Sequence, residues 1–258
     1  MSTVTLLVKA KNRFYLKHID KFLKVKLGDL RVKTETCGVT SRGWVQVVVS
    51  GEDETVALRF LADEIGLCPA RLESIEKFST IRGQIVNMDR NKDKLNVDIG
   101  VFSPEIVDAS IPIQRLQTQL TDGRKVAFKK IVELFGFCEN LPLTIKISDI
   151  DEGNLSVEAI FSEKQLNQYK KWTKSLLERL IVIGATLQEI LTALRTTGVN
   201  RDVVKIEPFG LFENAMVCKL GTDAAGLISK TGKTLRNATF SIFNPEEVLG
   251  FLGDYFIA

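Results

Sequence analysis

Apolar and polar positions alternate over residues 3–10 and predict a strand. The period then becomes helical, with Phe14, Ile19, Phe22, Leu23 and Leu27 on an apolar face, Lys17, Lys21, Lys24 and Lys26 mostly on others, and Gly28 as terminator. Strands follow at 31–37 and 44–49, separated by a turn from Gly38 to Gly43. The acidic, cap-rich run Ser50 to Glu54 suits the positive end of a helix over 52–66, which carries Val56, Leu58, Phe60, Leu61 and Ile65. Strand, helix, strand, strand, helix is most of a ferredoxin-like α/β sandwich, and residues 71–78 are the candidate for its missing strand.

A second group of strand-like runs covers 81–89, 95–101 and 109–113, then a helical stretch from Leu116 to Cys138, then runs at 141–150 and 155–160 joined by Asp151 to Asn154. Three strands, a helix and two strands in that order predict a five-stranded barrel of the OB type. Beyond it, Ser162 followed by Gln165 has the spacing of a helix cap, and the pattern reads as a helix to about Ile183. Gly184 to Thr186 interrupts it before a second helix over 187–196. Strand-like runs at 203–212 and 238–243 and a helix from Pro245 finish the chain. The expected fold class is therefore α+β and multidomain. It comprises a ferredoxin-like sandwich (1–78), an OB-type barrel with a helical insert (79–161), a helical hairpin connector (162–200), and a small β-rich unit with a terminal helix resembling a partial OB barrel (201–258).

At 258 residues, with 45% hydrophobic and 26% charged residues, the chain has the make-up of an ordinary globular protein. No apolar run reaches the roughly 18 residues of a membrane span, and no basic lead followed by a long apolar region opens the chain, so a cytoplasmic protein without membrane contact is expected. The net charge of +3 is unevenly spread: residues 1–33 hold nine basic against two acidic residues, while 79–161 are slightly acidic. Cys37, Cys68, Cys138 and Cys218 form no Cys-x-x-Cys pair, and His18 is the single histidine. Free, mostly buried thiols are expected, and no metal or other cofactor.

Chemistry is sparse. His18 alone gives no triad, and no paired carboxylates stand on a motif, so no catalytic residue is assigned and a binding protein is expected rather than an enzyme. Asp89, Asp93, Asp98 and Asp108 are the remaining option for a carboxylate metal site, against simpler roles in turns and at the barrel rim. The candidate nucleic-acid contacts are Lys17, Lys21 and Lys24 on the first helix, Arg82, Arg90, Lys92 and Lys94 around the first barrel turn, and Arg115, Arg124, Lys125, Lys129 and Lys130 on the insert. Clustered cations gain affinity for phosphates by releasing counterions; the first-helix lysines also read as a solvated helix face, and the insert also reads as packing Val126, Phe128, Ile131, Leu134 and Phe135 into a domain junction with its lysines in solvent. Phe14 fits the core, and Phe209 and Phe212 read as base-stacking or, more simply, core rings. The barrel offers Asn87, Met88 and Asn96 where stacking rings are expected.

Two resemblances add to this. Arg82-Gly83, Val97-Asp98-Ile99-Gly100, the segment Ile111-Pro112 to Leu116 and the closing hairpin from Ile147 to Val157 resemble, in order, the OB repeat of the large RNA-binding protein of the bacterial small ribosomal subunit. Ile206, Phe209, Gly210 and Phe212 resemble the start of that repeat, and Ala225 to Ile228 its third strand. The run Lys219 to Ile228, the insert start Asp122 to Ala127 and the helix Lys174 to Leu180 resemble an archaeal family described as domain of unknown function 2110. That likeness implies an archaeal source and brings no site residues. The expected function is binding of RNA or single-stranded nucleic acid, within a ribosomal or other ribonucleoprotein complex, through the barrel and a composite basic surface. The alternative is a protein-interaction or assembly factor that docks on a larger complex without touching nucleic acid.

Overall fold

The computed structural model describes residues 1–89 and 92–253. The chain divides into two compact units, one of residues 1–76 with 99–108, the other of 77–98 with 109–258.

The first unit opens β1 (Ser2–Lys9), α1 (Arg13–Lys26), β2 (Val32–Val39), β3 (Trp44–Gly51), α2 (Glu54–Glu64) and β4 (Ala70–Arg71), with β3 central in the antiparallel order β1-β3-β2. Tyr15, Ile19 and Leu23 are buried at four-residue spacing along α1, facing the period-two set Val45, Val47 and Val49 of the sheet core. This is the expected ferredoxin-like sandwich, with one difference. The fourth-strand place beside β1 is taken by residues 66–68, where Leu7 N donates to Gly66 O (2.9 Å) and Cys68 N to Thr5 O (2.8 Å), with an antiparallel bridge between Leu6 and Leu67. Pro69 has no N–H to extend that ladder. Residues 71–78 do not complete the sheet: β4 instead runs parallel to a later strand of the chain, and a 3-10 turn at Leu72–Ser74 follows.

The barrel contains β5 (Thr80–Val86), β6 (Lys94–Ser103), β7 (Val107–Pro112), β8 (Pro142–Asp151) and β9 (Ser156–Phe161). Its order is β6-β5-β8-β9-β7, closed by β7 on β6, and β7–β9 is its parallel pair. That is OB wiring, as expected. Gly83 follows from it: a Cβ there would lie 2.6 Å from the Asp98 carbonyl oxygen, so β5 needs glycine where β6 crosses it. The insert forms α3 (Ile113–Leu120) and α4 (Phe128–Phe135). The Gln119 side chain bonds both the N–H (2.9 Å) and the carbonyl (3.0 Å) of Phe161, tying α3 to the last barrel strand.

The rest of the chain differs from expectation. The helix begun at Ser162 is α5 (Glu163–Lys174); Ser175 is its C-cap and Leu176 has φ +54°. The next element is a strand, β10 (Arg179–Ile183), so residues 162–200 are not a helical hairpin. Then come α6 (Leu187–Thr196), β11 (Val203–Pro208), β12 (Glu213–Cys218), α7 (Ala224–Thr231), β13 (Thr239–Phe243) and α8 (Pro245–Leu252). The sheet order β11-β12-β10-β13 is wholly antiparallel. A β-α-β-β-α-β chain with this order is a complete ferredoxin-like sandwich rather than a partial barrel. Residues 225–228, likened to a barrel strand, lie in α7, whose N-cap Asp223 accepts from Ala225 and Gly226 N–H, each at 3.0 Å. Leu180, Val182, Met216 and Cys218 pack there against Ile190, Leu194 and Leu227.

The four thiols are free, but only Cys218 is buried; Cys37 is exposed and the other two are half-buried. Burial first, and then Glu178, push the Cys218 thiol up to about 11. No helix of the described residues is long and apolar enough to cross a membrane.

Candidate functional site

On α1, Lys17, Lys21 and Lys24 are all exposed, and their spacing of four and three residues puts them on one face. The ring beside them is not the one expected. Tyr15 is core at 3% exposure, whereas Phe14 is 44% exposed, its ring centroid 4.3 Å from that of His18. The exposed side of α1 thus carries the Phe14 ring beside three lysines, with His18 half-buried behind it, all within the first unit.

In the second unit some of the expected cations have partners within the chain and others are exposed. Arg124 donates to the carbonyls of Phe251 (2.8 Å) and Leu252 (3.0 Å) at the end of α8. Lys129 and Lys130 both approach Glu133, at 4.0 and 3.8 Å, and Lys130 also stands 5.9 Å from the Phe251 ring centre. Lys92, Lys94, Arg115 and Lys125 are exposed, and Arg90 lies outside the described residues. Arg124 serves helix α8, because cations bonded to terminal carbonyls complement the helix dipole. Arg124→Gln is therefore expected to lower stability by about 1 kcal/mol. Thermal melting checks this, and an unchanged melting temperature would contradict it.

Arg82 is the expected cation that lines a cleft. A hollow of about 350 Å³ is bounded by Arg82 on β5, Leu141 to Thr144 leading into β8, Lys164, Gln168 and Trp172 on α5, and the turn residues Pro208 and Phe209. A trough of about 630 Å³ adjoins it across Lys164, Gln168, Trp172, Pro208 and Phe209 and adds Lys171, Arg179 and Lys205. The walls are tied together. Gln165 Oε1 accepts from Thr144 N–H (2.9 Å), fixing α5 on β8. Trp172 Nε1 donates to Glu207 (3.1 Å), the Arg179 guanidinium stands 5.0 Å from the Trp172 ring centre, and the Phe209 ring lies 5.7 Å away, tilted 37°.

The charges of the cleft are arranged in depth. Burial pulls the Arg82 guanidinium below its usual range, and Glu213, 6% exposed, opposes that pull. Glu213 also accepts from Gln84 Nε2 (3.4 Å) and Phe212 N–H (3.3 Å). Arg179 is likewise pulled down by burial and supported by Glu207, which Lys205 also reaches at 2.9 Å. Guanidinium groups stay protonated through all of this. Among the described residues, Lys164 and Lys171 have no ion-pair partner.

The sequence reads α5 as a basic structural connector, with Lys164 and Lys171 among its lysines and Trp172 among its apolar positions, and does not single out Gln168, although Lys164, Gln168 and Lys171, spaced four and three apart, mark one helix face. It does offer Phe209 and Phe212 for stacking; Phe212 is core at 2% exposure and Phe209 is the ring in the cleft. Of the four aspartates considered for a metal site, Asp98 is buried and Asp108 takes Arg42 at 3.1 Å. Among the described residues no three His, Cys, Asp or Glu side chains gather as a metal site.

Family models of the DUF2110 N-terminal, central and C-terminal domains match residues 4–70, 75–173 and 177–243. No curated protein matches. Among solved structures the chain is similar to one from the crystal structure of the a/eIF2alpha-aDim2p-rRNA complex of Pyrococcus horikoshii OT3. That match has 9% identity and a TM-score of 0.26, and covers 50% of this chain and 70% of that one. It is also similar to ttk003000868 of Thermus thermophilus, at 12% identity and a TM-score of 0.17, covering 98% of this chain and 42% of that one. Likenesses this slight carry no argument about function.

Proposed function

The chain belongs to the DUF2110 family, whose three domain models together match most of its length, and from that footing we propose that it is an RNA-binding protein acting within a ribonucleoprotein complex. The observation that carries this reading is the α1 face, where an exposed Phe14 ring, packed on the half-buried His18, stands beside Lys17, Lys21 and Lys24. Rings that stack on unpaired bases and lysines that meet the backbone phosphates are the two ingredients of single-strand binding. Neither is needed for the core, which α1 builds from Tyr15, Ile19 and Leu23.

Lys17→Gln, Lys21→Gln and Lys24→Gln together remove three phosphate contacts. The slope of log affinity against log salt for a single-stranded RNA is then expected to fall by about 2. Phe14→Ala is expected to weaken the same RNA about tenfold at nearly unchanged melting temperature. Fluorescence anisotropy with a labelled oligomer from low to moderate salt reads both. An unchanged slope, or no binding at low salt, removes this reading.

A second reading, docking on a partner complex without touching nucleic acid, is supported by the bonding of Arg124 to the carbonyls of Phe251 and Leu252, which takes one expected phosphate contact for the fold. Partners that stay bound to the tagged protein after nuclease treatment favour it.

A further inference from the structure

The cleft of the second unit is built without any residue of α1, and it has the marks of a small-molecule site. Its volume of about 350 Å³ lies in the roughly 300–1,000 Å³ range of such pockets. It combines a half-buried ring, Phe209, with a side-chain amide, Gln168, and the cations Arg82 and Lys164. Both carboxylates near it are already engaged: Glu207 by Arg179, Lys205 and Trp172, and Glu213 by Arg82 and Gln84. The charge left over is positive and sits on Lys164 and Lys171, seven residues apart on one helix face. An anionic ligand with a flat ring answers to this arrangement, the ring on Phe209 and the anion at the lysines and Arg82.

We propose that this cleft is a nucleotide pocket that takes one nucleoside monophosphate unit, either free in solution or as an unpaired residue of an RNA strand. This deepens the RNA reading and rests on it for the strand as a source. Trp172 lends the pocket only an edge, since it is 5% exposed and held by Glu207 and Arg179. Its part is to keep Phe209 in place.

The test is calorimetric titration of the full chain with AMP, GMP, CMP and UMP, with adenosine and inorganic phosphate as controls. Saturable binding of at least one nucleotide is expected, with the nucleoside and phosphate about tenfold weaker or more. Phe209→Ala and Lys164→Gln should each weaken nucleotide binding about five- to tenfold, with melting curves showing both variants folded. The Lys17, Lys21 and Lys24 triple variant should bind nucleotide as the parent does. No saturable binding up to millimolar nucleotide, or parent-like binding by both folded cleft variants, overturns the proposal. An RNA oligomer separates the sources: competition by nucleotide and weakening by Phe209→Ala support a strand residue, and RNA binding indifferent to both supports free nucleotide. Loss of the RNA reading with nucleotide binding intact leaves the cleft a free-nucleotide site. RNA binding without nucleotide binding removes the cleft proposal and leaves the RNA reading standing.

Discussion

Tyr169→Ala is expected to cost about 3–5 kcal/mol of stability, read as a lower urea midpoint at an unchanged slope. Tyr169 is 1% exposed and its ring centre lies 5.3 Å from Phe135, 5.5 Å from Trp172, 5.8 Å from Phe243 and 6.5 Å from Phe161. Those four rings come from α4, α5, β13 and β9. One side chain therefore joins the helical insert, the barrel and the C-terminal sheet. Edge-to-face pairs add about 0.5–1.5 kcal/mol each beyond the area they bury, and truncation loses several at once. Burial, with Cys138 adding to it, drives the phenol well above its ordinary range, so the ring is a neutral core element at any working pH. Tyr169→Phe keeps the ring and should cost far less. A loss below about 1 kcal/mol for the alanine variant would show that the cluster does not hold these elements together.

Glu213→Ala is expected to cost about 3 kcal/mol. The carboxylate is 6% exposed and supports the charge of Arg82 while accepting from Gln84 and the Phe212 N–H. Removing it strands a partly desolvated guanidinium and two donors. The figure sits at the low end of the 3–5 kcal/mol range for broken buried pairs, because Arg82 is only partly buried by its surface exposure. Glu213→Leu combined with Arg82→Met should recover much of the loss, since replacing both charges removes the stranded one. Denaturant unfolding of the two single variants and the double variant reads the coupling. Strict additivity would mean that the two groups act independently.

The parts of this fold that were legible in the sequence are those with a clean period. Alternation in β1 and β3 and the helical spacing of Ile19 and Leu23 gave the first sandwich, and the strand order around the insert gave the barrel. The strand β10 was not legible for a physical reason. As a central strand it is buried on both faces, all five of its residues at once, so Leu180 to Ile183 shows no alternation and reads as the tail of the apolar helix before it. The β-branched run Ile181-Val182-Ile183 before Gly184 was the available signal. Misplacing that strand hid the second sandwich and with it the cleft, because Phe209 sits in the turn between two of its strands. The expected burial of Phe14 failed more locally, Tyr15 taking the core position instead. Adjacent helix positions differ by about 100°, and both rings are compatible with an apolar face until neighbouring strands fix the rotation. The cations were found by type, but whether a lysine meets solvent, Glu133 or a cleft is set by tertiary packing.

The path of β6 bears on how the protein is made. Residues 94–98 of that strand are counted with the second unit and 99–103 with the first. In the first unit, Ala70 pairs with Val101 and Arg71 with Ser103, and Gly100, at φ +78°, leaves room where a Cβ would come within 2.6 Å of Cys68. A nascent chain emerging from the ribosome at about 5–20 residues per second thus delivers residues 1–76 seconds before the piece that completes them. Until residue 108 has emerged, the first sandwich has its four strand places filled but lacks the partner of Ala70 and Arg71 and the close approach of Gly100 to Cys68. Translation pauses placed between codons 76 and 108 would lengthen that interval, and pauses placed after it would not.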